Sequence, residues 1–264
     1  MGFLPLKHQR YITAILSSTI ILLLLYFQNS LLVFNYGSYG FLSESSPCAC
    51  HICVADRGNS NWFSERYDPN VPILLNSNNS VLSANVSRWW KELQSNAGNY
   101  TKVMDQLFSL FSDEEHYSDT SPDRCRTCAV VGNSGNLLGS NYGPLIDFHE
   151  FVIRTYVQVP STIKANKDKV MILHPEFIRY VYDNWAEGHG RYPSTGFLTL
   201  IFALHICDEV SVFGFGATSD GIWHHYFDKT LTSYEIGVHA GKFENETINR
   251  LQQENKILIH MGWP

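Results

Sequence analysis

The chain has no excess of positive charge: 19 Lys and Arg stand against 25 Asp and Glu, a formal net charge of −6. A protein that neutralises phosphodiester backbones needs a basic stripe, so nucleic acid is not an expected partner. There is no Asp-x-Asp pair of the kind that holds a metal under a nucleotide-sugar diphosphate, and this absence argues for a ligand with a single phosphate. The dinucleotide fingerprint is missing, because the glycines of "VVGNSGNLLG" fall at Gly132, Gly135 and Gly139 rather than at the required spacing, and no Walker lysine follows. Internal repeats and low-complexity tracts are absent too, which excludes solenoids and propellers.

What is present begins with an address. Lys7 and Arg10 precede an uncharged apolar run from Tyr11 to Phe27. A cleaved signal peptide is the competing reading, since the run is near the lower limit for a span. No small-residue cleavage site follows closely, however, and "QNSLLVFNYGSYGF" stays greasy. The expected organisation is a cytoplasmic tail (1–10), a transmembrane signal anchor (11–27), a stem (28–47) rich in Ser, Gly, Asn and Tyr, and a lumenal domain (48–264). A short span suits the thinner membranes of the early secretory pathway, Golgi included. Glycan acceptor sequons begin at Asn78, Asn85, Asn99 and Asn245, and the six cysteines are an even number in a compartment that permits disulfides. Cys48, Cys50 and Cys53 lie too close together for the usual paired zinc ligands, so a disulfide framework is preferred and no metal site is assigned.

The region from 48 to about 124 mixes polar loops with helical pieces: "VSRWWKELQ" and "YTKVMDQLFSLF" carry apolar residues at helical spacing. From Cys128 the rhythm is α/β. "CAVVG", "KVMILH", "EVSVFGFG" and "KILIHM" read as strands; "PEFIRYVYDNW" and "FENETINRLQQEN" read as helices. "STGFLTLIFALHIC" is apolar nearly all round and reads as a buried helix capped by Ser194 or Thr195. Strands alternating with helices predict a mostly parallel sheet covered on both faces.

Four stretches have chemistry in them. Asn133 and Ser134 lie just past a strand that ends in Gly132, where ligands sit in open α/β sheets; a tight turn would read the same way. Ser194, Thr195 and Gly196 open the buried helix, whose free amides suit an anion or simply need a cap. His224 and His225 in "GIWHHYF", and His239 with Glu244 in "GVHAGKFE", raise acid–base or phosphate chemistry, against the ordinary reading of histidines as packing or surface residues.

In order and spacing these stretches resemble the four sialyl motifs of the animal sialyltransferases, glycosyltransferase family 29. "CAVVGNSGNLLGSNYGPLIDFHEFVIR" is similar to the first part of the large motif, "RYPSTGFLTLIFALHICDEVSVFGFG" to the small motif, and "HHYF" to the third. His239 and Glu244 match the very small His-x4-Glu motif. "WWKELQ" and "GHGRYPSTG" most resemble the branch that places α2,3-linked sialic acid on Galβ1-3GalNAc. The resemblance implies a Rossmann-like GT-A variant and an inverting, metal-independent transfer from CMP-sialic acid to the galactose 3-hydroxyl of glycoproteins and glycolipids. It implies His239 as general base and His225 as the group that steadies the departing phosphate. Asn133, Ser134, Tyr156, Ser194, Thr195 and Gly196 would bind donor; Gln94 and Tyr192 would bind acceptor. Cys128–Cys207, Cys48–Cys53 and Cys50–Cys125 would be the disulfides, with a homodimer as a candidate assembly.

One departure matters. Arg154 joins Thr155 directly, where family members continue through a further strand and helix before a piece like "TYVQVP". Roughly sixty residues of the family pattern are absent, which removes part of the donor pocket and leaves a sheet edge unpaired. The expectation is therefore family chemistry carried by a chain whose activity is impaired, with glycan binding or pairing with a full-length enzyme as the alternative role.

Overall fold

The computed structural model describes residues 47–56, 60–94, 98–110, 121–154, 171–216 and 238–262, all within the compact unit Ser46–Pro264. The tail, the anchor at 11–27, nearly all of the stem, Tyr156 and "HHYF" with His225 lie outside the described residues. Among the described residues no helix is long and apolar enough to cross a membrane.

Helices α1 (Asn61–Arg66), α2 (Ala84–Leu93) and α3 (Tyr100–Phe108) precede the sheet. Each begins on a polar cap that accepts a first-turn amide: Ser60 from Phe63, Ser83 from Val86 and Asn99 from Lys102. Then come β1 (Thr127–Val131), α4 (Gly143–Asp147), β2 (Phe151–Arg154), α5 (Pro175–Tyr180), α6 (Thr195–Ile206), β3 (Glu209–Phe213), α7 (Gly241–Gln253) and β4 (Leu258–His260). Among the described residues four strands form one sheet in the order β2-β1-β3-β4, each paired parallel to its neighbours.

Register explains which side chains are inside. Ile153, Val130, Val212 and Ile259 stand in one row across the sheet, and all four join the main core with α6. The row on the opposite face is Val152, Ala129, Ser211 and Leu258. Its two central members are buried, whereas Val152 is 39% and Leu258 55% exposed. The expected cover on both faces is thus fuller on the core face, whose edge members Ile153 and Ile259 are partly buried, and limited to the centre of the other.

Helix α6 is buried because it has no polar face: Phe197, Leu200, Ile201, Phe202, Ala203, Leu204 and Ile206 all lie inside. Ser194 caps it by accepting from the Phe197 amide, and its far end at Cys207 is bonded to Cys128 on β1. Cys48–Cys53 and Cys50–Cys125 complete the disulfides, the pairing that the resemblance implied.

Two expected elements differ. "KVMILH" does not enter the sheet: Leu173 makes a single antiparallel bridge with Leu74, flanked by Leu75 N–H to the Ile172 carbonyl and His174 N–H to the Ile73 carbonyl. At its carboxyl end the run stops where the chain enters α5: the His174 ring accepts from the Glu176 amide as the cap, and Pro175 lacks a donor. "PEFIRYVYDNW" is α-helical only to Tyr180, and Val181–Trp185 then forms a π-helical turn closed by Ala186 N–H to the Val181 carbonyl.

Candidate functional site

β1 and β3 are adjacent, but the chain leaves β1 toward β2 on one side and leaves β3 toward β4 on the other. The crevice beyond their carboxyl ends is the switch point where open α/β sheets take ligands. The loop after β1 and the loop after β3 meet there. Gly132 N–H donates to the Phe213 carbonyl (2.7 Å) and Ser134 N–H to the Gly214 carbonyl (3.0 Å). Ser134 Oγ donates to the Gly216 carbonyl at 2.7 Å, and Asn136 Nδ2 donates to the Phe215 carbonyl at 2.8 Å. The approach is too close for a side chain at Gly132, whose Cβ would stand 2.3 Å from the Gly214 oxygen. Asn136 Oδ1 is buried and without a partner among the described residues. Asn133 lies half-buried in the same loop. Phe215 joins the loop to α6, because a Cβ on Gly196 would meet its ring at 3.4 Å.

The start of α6 forms the second wall. The buried carboxylate of Glu244 accepts from the Ser194 amide at 2.7 Å, and Ser194 Oγ takes the Phe197 amide at 3.1 Å. This leaves the Thr195 and Gly196 amides as the helix-entry donors without a partner among the described residues. Glu244 sits in the first turn of α7, four residues past the Ala240 cap and five past His239, so the same contact that orders Ser194 brings the imidazole alongside.

His239 is exposed, and its Nδ1 lies 2.9 Å from the Tyr192 carbonyl oxygen. A carbonyl only accepts, so in the neutral ring the proton is on Nδ1 and the lone pair is on Nε2. The Tyr192 ring stands edge-on to the imidazole, with centroids 4.8 Å apart. Gly190 closes the arrangement: its φ is +73°, and a Cβ there would stand 2.8 Å from the Ala240 nitrogen. Arg191 N–H donates to the Val238 carbonyl at 2.7 Å.

The structure therefore brings together His239, Tyr192, Ser194, Thr195 and Gly196, and joins Asn133 and Ser134 to them through Phe215. Gln94 is exposed at the carboxyl end of α2 and makes no hydrogen bond to this group among the described residues; Tyr156 and His225 lie outside the described residues. Sequence reasoning missed Phe215 and the parts played by Asn136 and Glu244. Of the sequon asparagines, Asn78 and Asn85 are exposed, Asn99 caps α3, and Asn245 is half-buried in α7. Among the described residues no three His, Cys, Asp or Glu side chains are grouped to hold a metal ion.

Comparison with known proteins bears on this arrangement. The profile of glycosyltransferase family 29 (sialyltransferase) matches residues 74–157 and 154–256. CMP-N-acetylneuraminate-beta-galactosamide-alpha-2,3-sialyltransferase 2 of Rattus norvegicus is 35% identical over 284 positions, covering 83% of this chain and 81% of that protein. The corresponding sialyltransferase 1 of Homo sapiens is 35% identical, with 84% of each chain covered. A crystal structure of a mammalian sialyltransferase in complex with Gal-beta-1-3GalNAc-ortho-nitrophenol superposes with a TM-score of 0.71 at 35% identity, covering 82% of this chain and 100% of that one. The profile resumes where it breaks off, at 154–157. Since 83% of 264 residues is about 219, some 65 of the 284 positions paired with the rat protein have no counterpart in this chain.

Proposed function

The chain belongs to glycosyltransferase family 29, the sialyltransferases, and on that premise we propose that it transfers sialic acid from CMP-sialic acid to the 3-hydroxyl of terminal galactose, with Galβ1-3GalNAc on glycoproteins and glycolipids as the acceptor. The observation that carries this reading is the shared anchorage of base and anion site: His239 is held on Tyr192, and Glu244, on the next turn of chain, is held on Ser194.

The chemistry follows from those groups. His239 Nε2, with its lone pair free, takes the proton of the galactose 3-hydroxyl as that oxygen bonds to the anomeric carbon of the sialyl group. The bond from that carbon to the phosphate oxygen breaks, and its electron pair leaves on CMP. Attack from the face opposite the leaving group inverts the anomeric centre. The Thr195 and Gly196 amides and the amino end of α6 meet the phosphate, as dipoles fixed before reaction. His225 donates to the departing phosphate oxygen. Asn133 and the unpartnered Asn136 Oδ1 take the nucleoside; the Ser134 proton is already committed to Gly216, so its hydroxyl serves the loop first. Neutralisation by amides and imidazole supports a reaction without metal. Gln94 and Tyr192 take the acceptor galactose. The basic-flanked apolar run at 11–27 and the four sequons support a type II, Golgi-lumenal setting.

A second reading rests on the break at 154–157: an anchored chain that binds acceptor glycan or full-length enzyme but transfers poorly. One experiment addresses both. The chain, its His239→Ala variant and a version with the absent family segment restored are given CMP-sialic acid and Galβ1-3GalNAc. Product from the chain above the His239→Ala background supports transfer. Product only after restoration supports the second reading. No product from either form overturns both.

A further inference from the structure

The π-helical turn Val181–Trp185 has a consequence at His239. It carries Tyr182, whose hydroxyl lies 2.9 Å from the Gly188 carbonyl oxygen and 3.3 Å from that of Gly190. The turn needs left-handed backbone: Gly188 and Gly190 adopt φ of 73° without penalty, whereas Glu187, just before them at φ 49°, has no exemption from it. Several contacts hold it there, His189 N–H to the Ala186 carbonyl at 2.8 Å and the stack of His189 on Phe243 of α7 at 4.2 Å among them. Arg66 pairs with Glu187, Gly188 N–H donates to the Tyr182 carbonyl at 2.9 Å, and the Tyr182 hydroxyl bridges the two carbonyls. The other side of the turn is the seat of the imidazole, since the Gly190 backbone rests directly on residues 238–240 and the next residues supply Arg191 N–H and the Tyr192 carbonyl.

The Tyr182 ring faces a different partner. It packs on Trp89 at 5.8 Å between centroids, with the Arg179 guanidinium 5.2 Å from the Trp89 ring centre and 5.6 Å from that of Tyr182. Trp89 is buried on α2, the helix whose cap is Gln94. One side chain thus touches the turn that seats His239 and the helix that ends at Gln94.

We propose that Tyr182 is a positioning residue: its hydroxyl fixes the Gly188–Gly190 turn so that His239 keeps its proton on Nδ1 and its lone pair on Nε2, and its ring locks that turn to α2. An α-helical turn in place of the π turn would rotate Tyr182 away from these carbonyls, which gives the irregular geometry a purpose. The inference rests on the reading of His239 as the base, but its test does not require turnover.

The full chain, in mild detergent and labelled with 15N in its histidine rings, is compared with Tyr182→Phe by long-range ring 15N–1H spectra above the imidazole titration; His239→Gln identifies the signal. Tyr182→Phe keeps the stack on Trp89 and loses only the bridge. The expected result is a single Nδ1–H tautomer in the parent and mixed tautomers in Tyr182→Phe, with unchanged circular dichroism. Where transfer is measurable, kcat falls about tenfold or more and the KM for CMP-sialic acid stays the same. An unaltered His239 spectrum in Tyr182→Phe overturns the proposal. Loss of fold in that variant overturns it as well, because the hydroxyl would then serve stability rather than position. Failure of both proteins to transfer sialic acid counts against the proposed function and leaves the ring spectra to decide this one.

Discussion

At the residue scale, Glu244 shows how one buried side chain can serve two motifs. A buried carboxylate needs a donor, and the Ser194 amide is one of the orphan N–H groups around a helix start. Removing the acceptor leaves that amide unsatisfied beside a cavity, whereas an amide side chain keeps an oxygen in place. Glu244→Ala should therefore lose about 2–3 kcal/mol in urea unfolding, and Glu244→Gln under about 1 kcal/mol. Equal losses in the two variants would show that the hydrogen bond does not carry the effect. His239 and Ser194 were legible in the sequence because motif spacing names them. Phe215, Asn136 and Tyr182 were not, because each acquires its role from a loop brought up by folding: Asn136 meets a carbonyl 79 residues away, and Tyr182 meets a ring on α2.

At the element scale, α6 was the most legible piece, since a helix without a polar face has nowhere to lie but the core. Its one oddity is His205, packed against Tyr67 at 4.7 Å and edge-on to Phe177 and Tyr180. Burial lowers its pKa to about 4, partly opposed by its Nδ1 contact with the Ile201 carbonyl. The folded-state value lies below the ordinary 6.5, so the unfolded chain binds the proton more readily. This group's contribution is constant above about pH 6.5, and stability falls as pH drops from there toward 4, by about 3 kcal/mol in all. His205→Phe should flatten that part of the profile in urea unfolding across the window; an unchanged slope would assign the acid sensitivity elsewhere. Over the described residues of "KVMILH" the expected strand is a single bridge to Leu74, and the run gives way at His174 to the cap of α5, a role that composition does not carry. The π turn was equally hidden, because "VYDNW" has an ordinary helical pattern.

At the scale of the whole molecule, the parallel order β2-β1-β3-β4 puts the candidate site at the switch point; the alternation of strands and helices was enough to anticipate the parallel sheet, whereas "HHYF" lies outside the described residues. The sheet's second face is a different matter. Val152 at the β2 edge and Leu258 at the β4 edge remain exposed while their row-mates Ala129 and Ser211 are buried. The family profile breaks at the carboxyl end of β2, beside the first of these exposed positions. A segment absent at that edge bears on Val152 alone, since Leu258 lies on the opposite edge of the sheet. What the molecule keeps is the pairing of imidazole and helix entry, and that is the claim on which everything functional depends. The measurement that tests it most directly is a titration of the full chain with cytidine monophosphate, followed at the Thr195 and Gly196 amides and the His239 ring by NMR. The account predicts that all three respond together with one Kd. Saturation of the helix-entry amides with no change at His239, or no response at either, would contradict it.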